Sequence, residues 1–415
     1  MRVVYVLPET SRKSPNACTA RASYLLPALE SSVELAVFAF GEADASQLSA
    51  HMISHVPCRH NPVRLLWASI FSILPRVFAR YKSKRIASEF RKICMEFQPD
   101  IVHFDSLSTL ALFTLAQGLS RELDFSIVVH PHDSITRLTM RRMRSEKSLV
   151  RKLDLWLQMI KIKRIERRYY READLCLVDS SEDAAYLRKL NPHSRVEVLP
   201  LGFNEDIFSP DGFRESLRHP AIVFSGSMRS SQSVDGARYL VSEIMPVVWR
   251  NYPAAVVYLV GAGPGEHLFD LQREQTGRVV VTGFVESVAA YLRSADVYVS
   301  PLRLGSGMRT RVIEAAACGC AIVSSRAGIV GLDIGNEKAP WLIAENAADF
   351  GASVLAVLAD KNLRDDLGEQ ARQLSEQKYT WRMVASALTD YYVKVAPQAE
   401  APLIEGESKE KCDHI

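Results

Sequence analysis

The stretch "PLRLGSGMRTRVIEAAACGCAIVSS", residues 301–325, decides how the rest of the chain is read. It follows "DVYVSP" (296–301), a short apolar run of strand composition. "LRLGSG" is a glycine-containing turn. An alanine-rich helix is expected from near Gly307 or Met308 to Gly319, and "AIVSS" has the make-up of the next strand. Strand, turn, helix and strand form the repeating unit of a parallel sheet. The helix start also suits an anion. The N–H groups of Gly307, Met308 and Arg309 would lack partners inside the helix, at an end carrying about half a positive charge. Gly305 and Gly307 let an anion approach the backbone closely. Arg309 and Arg311 add donors suited to phosphate oxygens. Glu314, one turn on, offers a carboxylate for two adjacent ribose hydroxyls. A plain i,i+3 surface pair with Arg311 is the other reading of the same spacing.

Working outward, the first half alternates apolar runs with amphipathic stretches. The runs are "RVVYVLP" (from Arg2), "VELAVFAFG" (from Val33), "DIVHFD" (from Asp100), "FSIVVHPHD" (from Phe125), "ADLCLV" (from Ala173) and "RVEVLP" (from Arg195). After a polar stretch at 209–220 the rhythm restarts with "AIVFSG", "AVVYLVG", "RVVVTG", "DVYVSP", "AIVSS" and "WLIAE". A chain of 415 residues is long enough for two cores. The expectation is an α/β protein of two doubly wound domains, 1–208 and 209–380. Residues 381–395 read as a helix returning to the first domain, and 396–415 as a mobile polar tail. Ligands of such sheets bind beyond the strands' carboxyl ends, so the site is expected in the cleft between domains.

Bulk properties narrow the function. A net charge of +3 does not argue for nucleic acid, and no nucleic-acid-binding motif accompanies it. Seven cysteines without a CxxC pair argue against a disulfide framework or a zinc site and fit a reducing cytoplasmic setting. No signal peptide and no apolar run of about 18 residues is legible. Residues 137–171 carry 13 basic and 3 acidic side chains, with Leu153, Trp156, Leu157, Met159 and Ile160 interleaved. This reads as a helix lying on anionic lipid, a peripheral contact at the inner face of the cell membrane. The segment from Asn61, "NPVRLLWASIFSILPRVFARYKSKR", has the same character. "VGAGPGE" has Glu266 where a dinucleotide fingerprint needs its third glycine, so it reads as a tight turn beside a nucleotide.

"VIEAAACGCAIV" resembles the signature of the family 4 glycosyltransferases, which have the GT-B fold of two Rossmann-like domains. The resemblance implies that Glu314 binds the donor ribose. The first Glu of the family pattern falls on Ser306. The stretch is closer to a variant, "PLR-x-G-x-G-x-R-x-K-x-x-EA", whose two basic positions are Arg309 and Arg311. "VEVLPLGFNEDIFSP" is similar to the family's end of the first domain, with Leu201 in place of Asn. "IVFSGSMRSSQSVDGARYL" is similar to the opening of the second. It has Ser227 and Gln232 where most members hold the diphosphate with Arg and Lys. Gly226 and Arg229 remain as donor-binding candidates there, and the phosphate contacts pass to Arg309 and Arg311. Phe284 falls in the segment that reads the nucleobase. The N-terminal glycine loop is replaced by "RKSPNACTARAS", where Thr19 and Arg21 are the compensating candidates.

The same resemblance places catalytic residues in "FSIVVHPHDSITRL". His132 would donate to a hydroxyl of the donor sugar, and Asp133 would orient the donor or the acceptor. Asp133 and Ser134 also fit a helix cap, as His103 and Asp105 fit strand-end caps. No D-x-D pair is found to hold a metal, so no metal and no cofactor beyond the nucleotide diphosphate sugar is expected. The implied function is retaining, metal-independent transfer of a sugar to a glycan or lipid-linked acceptor in cell-surface polysaccharide (exopolysaccharide) biosynthesis. The departures from the family pattern leave an alternative, a non-catalytic glycan- or nucleotide-binding partner in such a system.

Overall fold

The computed structural model describes residues 1–8, 21–40, 52–56, 74–81, 83–303, 308–332 and 339–397. Two parallel sheets organise them. The first holds β1 (Arg2–Leu7), β2 (Glu34–Phe40), β3 (Met52–Val56), β4 (Ile101–Asp105), β5 (Ser126–His132), β6 (Leu175–Val178) and β7 (Val196–Val198), in the order β3-β2-β1-β4-β5-β6-β7. The second holds β8 (Ala221–Ser225), β9 (Val256–Val260), β10 (Val279–Gly283), β11 (Val297–Ser300), β12 (Ile322–Ser324) and β13 (Leu342–Ile343), in the order β10-β9-β8-β11-β12-β13. Inner strands are buried on both faces, which is why they read as unbroken apolar runs. β3 was not anticipated from the sequence. "MISHV" lacks such a run, and among the described residues it pairs only with β2, at the edge of the sheet.

Four helices carry the functional argument. The basic segment does not form the single helix expected of it. It breaks at Glu146–Ser148 into α1 (Ile135–Ser145) and α2 (Leu149–Glu172), each started by a serine side chain, Ser134 or Ser148, accepting a backbone N–H. The first turns of α2 leave Leu149, Val150, Leu153 and Trp156 exposed, while Ile162, Ile165 and Tyr169 join the core. α3 (Thr310–Ala317) starts later than expected, with Arg309 as its N-cap residue. Gly305, Ser306 and Gly307, expected to form the anion-binding turn, lie outside the described residues.

α4 (Trp381–Val395) follows the second sheet but packs on the first. Trp381, Val384, Leu388 and Tyr392 share a buried cluster with Val3, Tyr5, Leu7 and Leu177. The crossing is tightly fitted. Phe203 N–H donates to Tyr379 O at 2.9 Å, and a Cβ on Gly202 would sit 2.5 Å from the Trp381 ring. Only glycine fits at that position, because the ring cannot withdraw without emptying the cluster. Truncating the fully buried Leu388 to alanine should therefore cost about 2–5 kcal/mol in urea unfolding, the range for a core leucine.

Candidate functional site

In each sheet the strand order reverses once, between β1 and β4 and between β8 and β11. A cavity lies at the carboxyl ends of the strands beside each reversal, where doubly wound sheets bind ligands. The first has a volume of about 690 Å³ and is lined by Ser106 after β4, His132 and Asp133 at the end of β5, and Asp179 after β6. Ser106 and His132 both hold left-handed backbone, with φ of 84° and 71°. Non-glycine residues adopt that region at a cost, and neighbouring pairs of them mark sites whose surroundings force the geometry. Here Ser106 N–H donates to His130 O at 2.8 Å, and Asp179 N–H donates to His132 O at 2.8 Å.

Behind this wall lies a buried charge cluster. The Arg21 guanidinium, fully buried, donates to Asp179 Oδ1 at 2.6 Å and approaches His130 Nδ1 at 3.4 Å. His130 Nε2 is 3.0 Å from the same carboxylate oxygen. His132 Nε2 lies at ion-pair distance, 2.7 Å, from Asp105 Oδ1, and its Nδ1 is 3.7 Å from Asp179. Tyr5 Oη donates to Asp105 Oδ2 at 3.3 Å. Burial alone would suppress charge on His132, but Asp105 and Asp179 outweigh it and hold the imidazole proton-binding tendency well above the ordinary value. Burial would likewise raise Asp105 and Asp179, yet the neighbouring cations keep both below the usual carboxylate range. Burial and the Arg21 charge push His130 down to about 4, so it is neutral. Two cations, Arg21 and His132, thus face two anions, Asp105 and Asp179. Sequence reasoning gave His132 a donor-sugar contact; the structure commits its Nε2 inward to Asp105.

Asp105, His130 and His132 bring potential ligand atoms within 4.8 Å of one another. They do not fit a divalent ion. Arg21 points its cation at His130 Nδ1, which leaves the proton on Nε2 to face Asp179, and His132 is itself held as a cation.

Asp133 and Ser134 divide the two roles weighed from the sequence. Ser134 caps α1, while Asp133 lines the cavity. Burial, together with the charges of Asp179 and Asp183, pushes the Asp133 carboxyl up to about 6. The loop is pinned from below by Glu166 of α2, fully buried, which accepts from Ser134 Oγ at 3.3 Å and from Thr136 N–H at 3.1 Å. A carboxylate at that helix start also faces the positive end of the α1 dipole.

The second cavity, about 250 Å³, is lined by Ser225, Gly226, Ser227, Ser230, Gln232 and Ser233 on one side, and by Met308, Arg309, Thr310 and Arg311 on the other. The start of α3 therefore does face a cavity. Arg309 is braced across it, its Nε donating to Ala327 O at 3.0 Å and its Nη1 to Gln232 Oε1 at 3.3 Å. Arg311 Nη1 pairs with Glu314 Oε2 at 2.6 Å, so the i,i+3 pair is present; Arg311 lines the cavity and Glu314, behind it, does not. Burial raises the Glu314 carboxyl, and Arg311 opposes that. Gly226 is in the lining. Arg229 is not: its side chain covers Gly263, where a Cβ would lie 2.3 Å from Arg229 Nε. Phe284 follows β10, is 79% exposed and does not line the cavity. Met308 lines both cavities, and its Sδ accepts from Leu201 N–H at 2.9 Å.

Arg21 was named from the sequence as a substitute for a lost loop contact, but not as a buried charge. Asp179 and Glu166 carry no motif that marks them in the sequence. The signal for Asp179 was its place directly after the run "ADLCLV", at a strand's carboxyl end. Glu166 sits in a helix full of charge, and nothing in its sequence context separates it from a solvated residue.

Replacing Arg21 by methionine strands Asp179 and should cost about 3–5 kcal/mol in urea unfolding. His132→Gln should give a pH-dependent loss. The lost stabilisation is complete below about pH 6.5, where the unfolded imidazole is also protonated, and it fades as pH rises through the elevated folded value. Asp133→Asn should do the opposite. The raised carboxyl carries a penalty that grows between about pH 4 and 6, so the variant should be more stable than wild type at pH 7.5 and no more stable at pH 4.

Two family models match the chain, one described as Glycosyltransferase Family 4 over residues 22–207 and one as Glycosyl transferases group 1 over residues 219–360. Among curated relatives, the D-inositol 3-phosphate glycosyltransferase 2 of Catenulispora acidiphila is 26% identical over 53% of this chain and 56% of its own length. The phosphatidyl-myo-inositol mannosyltransferase of Mycolicibacterium smegmatis is 26% identical over 45% of this chain and 47% of its own. The chain thus spans about half the length of the curated relatives it matches. Among solved structures, sucrose-phosphate synthase from Thermosynechococcus elongatus superposes with a TM-score of 0.64 at 16% identity, covering 95% of this chain and 98% of that one. Anabaena HepE in complex with UDP and glucose superposes with a TM-score of 0.62 at 11% identity, covering 95% and 99%. These structures show the GT-B fold. With one model on each sheet's half of the sequence, the chain belongs to the family 4 glycosyltransferases, glycosyl transferases group 1.

Proposed function

We propose that the chain transfers a hexosyl group from a nucleotide diphosphate sugar, held in the second-sheet cavity, to an acceptor in the first-sheet cavity. The observation that carries this is Met308, which lines both cavities and so marks where donor and acceptor would meet. The relatives named above are a glycosyltransferase and a mannosyltransferase, and the structural neighbour bound to UDP and glucose has the same fold, which supports the donor class.

In this reading the diphosphate sits against the start of α3, with Arg309 and Arg311 as its cations, and Glu314 accepts from the ribose hydroxyls once Arg311 turns to phosphate. The bond between the anomeric carbon and the phosphate oxygen breaks as the acceptor oxygen bonds to that carbon. The acceptor's proton ends on the departing phosphate oxygen. His132 does not take it, because Asp105 and Asp179 already hold the imidazole protonated. His132 supplies positive charge and shape at the cavity wall, and Asp133, ionised above about pH 6, orients the acceptor hydroxyl. Transfer by this route retains configuration and uses no metal. The acceptor is glycan or lipid-linked, and the chain works at the cytoplasmic membrane face in cell-surface polysaccharide assembly. Among the described residues no helix is long and apolar enough to cross a membrane. The exposed Leu149, Val150, Leu153 and Trp156, set among Arg144, Lys147, Arg151 and Lys152, suit contact with anionic lipid.

A thermal-shift titration with UDP, GDP, ADP and CDP tests the donor assignment. A nucleotide at 100 times its Kd should add about 2.7 kcal/mol of stability in wild type, and Glu314→Ala should abolish the shift. A shift that survives in Glu314→Ala removes the ribose assignment. Binding without any sugar turnover would make the chain a nucleotide-binding partner instead.

A further inference from the structure

The first-sheet cavity holds a feature that the transfer chemistry does not use. Gln158 of α2 lines it and is only 7% exposed. Its Oε1 accepts from the Arg76 backbone N–H at 3.0 Å, while its Nε2 is buried with no hydrogen-bond partner. The orientation of the amide is therefore fixed, since flipping it would set NH2 against a backbone donor. A buried donor without an acceptor is costly to keep, so the cavity is built for something that brings oxygen.

The surroundings say what kind. Leu107, Ile135, Leu138, Leu155 and Ile162 give the cavity apolar wall, and Arg142 and Arg76 also line it. The Arg76 guanidinium also contacts Asp154 at 3.4 Å. His132 and Asp133 mark the reacting end of the same cavity. Leu155 of α2 lines the cavity, while Leu153 and Trp156 of the same helix are exposed. An amide N–H and two guanidinium groups can share the three free oxygens of a phosphate monoester, where a carboxylate has only two.

We infer that this cavity takes as acceptor a phosphate-bearing amphiphile that also carries the reacting hydroxyl: Gln158 Nε2 donates to a phosphate oxygen, Arg142 and Arg76 balance its charge, the apolar chain lies along Leu138 and Leu155, and the hydroxyl, separate from the phosphate, faces Asp133. The inference rests on the acceptor side of the proposed function and gives its substrate class.

Isothermal titration of the full chain with octyl phosphate, octanol and inorganic phosphate tests it. Octyl phosphate should bind at least tenfold more tightly than either of the others. Gln158→Glu keeps the acceptor for Arg76 N–H but places a negative oxygen where the donor was, and should weaken octyl phosphate at least tenfold. Arg142→Gln, at a position outside the core, should weaken it several-fold. Octanol binding as tightly as octyl phosphate would reduce the site to an apolar hole. Inorganic phosphate binding as tightly would make it a free-anion site. Unchanged octyl phosphate affinity in both variants would remove the roles of Gln158 and Arg142. Any of the three overturns the inference. Nucleotide titrations of the same samples separate the two claims: lost nucleotide binding with intact octyl phosphate binding sinks the transferase reading alone, and the reverse sinks only this one.

Discussion

The Arg21–Asp179 ion pair is the contact on which the first-sheet site depends. Arg21 has no exposed surface, and Asp179 accepts from its guanidinium at 2.6 Å. Asp179 in turn faces His130 and His132, and His132 faces Asp105. Taking four charged groups out of water is expensive, and the arrangement persists because each charge finds its opposite. The result ties the ends of β4, β5 and β6 into one wall and holds His132 in a left-handed backbone that it would not adopt alone. The cluster reaches further still. Tyr5, which donates to Asp105, stacks on His103 at 4.3 Å, and Tyr392 Oη of α4 shares a hydrogen bond with His103 Nδ1 at 2.7 Å. The returning helix thus covers the sheet and also seals the polar cluster beneath the site.

The two cavities differ in how they could drive chemistry. The wall of the first is already charge-balanced, so an acceptor placed there meets shape, one raised carboxyl at Asp133 and an orphan donor at Gln158. The second holds its cations against neutral or single-carboxylate partners, Arg309 with Gln232 and Ala327 O, Arg311 with Glu314. A diphosphate would compete for the arginine contacts. Charge that develops on a departing phosphate would then find donors already positioned, which is how preorganised electrostatics lowers a barrier. Met308, whose sulfur accepts from Leu201 N–H of the first half, lies between these environments and lines both.

Much of the fold was legible because parallel strands buried on both faces leave unbroken apolar runs. All six runs of the second half became strands, and so did the six of the first; among the described residues only the edge strand Met52–Val56, without such a run, escaped. The start of α3 was misplaced because glycines and Arg309 carry no helix-start signal, and Arg309 itself became the cap residue. Residues of the first cavity's lining were legible where a strand end announced them, as with His132 and Asp133. Phe284 and Glu314 were placed by resemblance and Arg229 only by its nearness to the family's positions, and none of the three lines the second cavity. Arg21 and Glu166 show the limit. Their roles come from burial and from partners more than 20 residues away, and no local pattern distinguishes a buried charge from a solvated one.

The most direct test of the account is a crystal structure of the chain with a non-transferable nucleotide sugar. The account predicts the diphosphate against Arg309 and Arg311, the ribose at Glu314, and the anomeric carbon beside Met308, opening toward His132 and Asp133. A sugar bound with its anomeric carbon turned away from Met308, toward Phe284 and the outer edge of the second sheet, would contradict it.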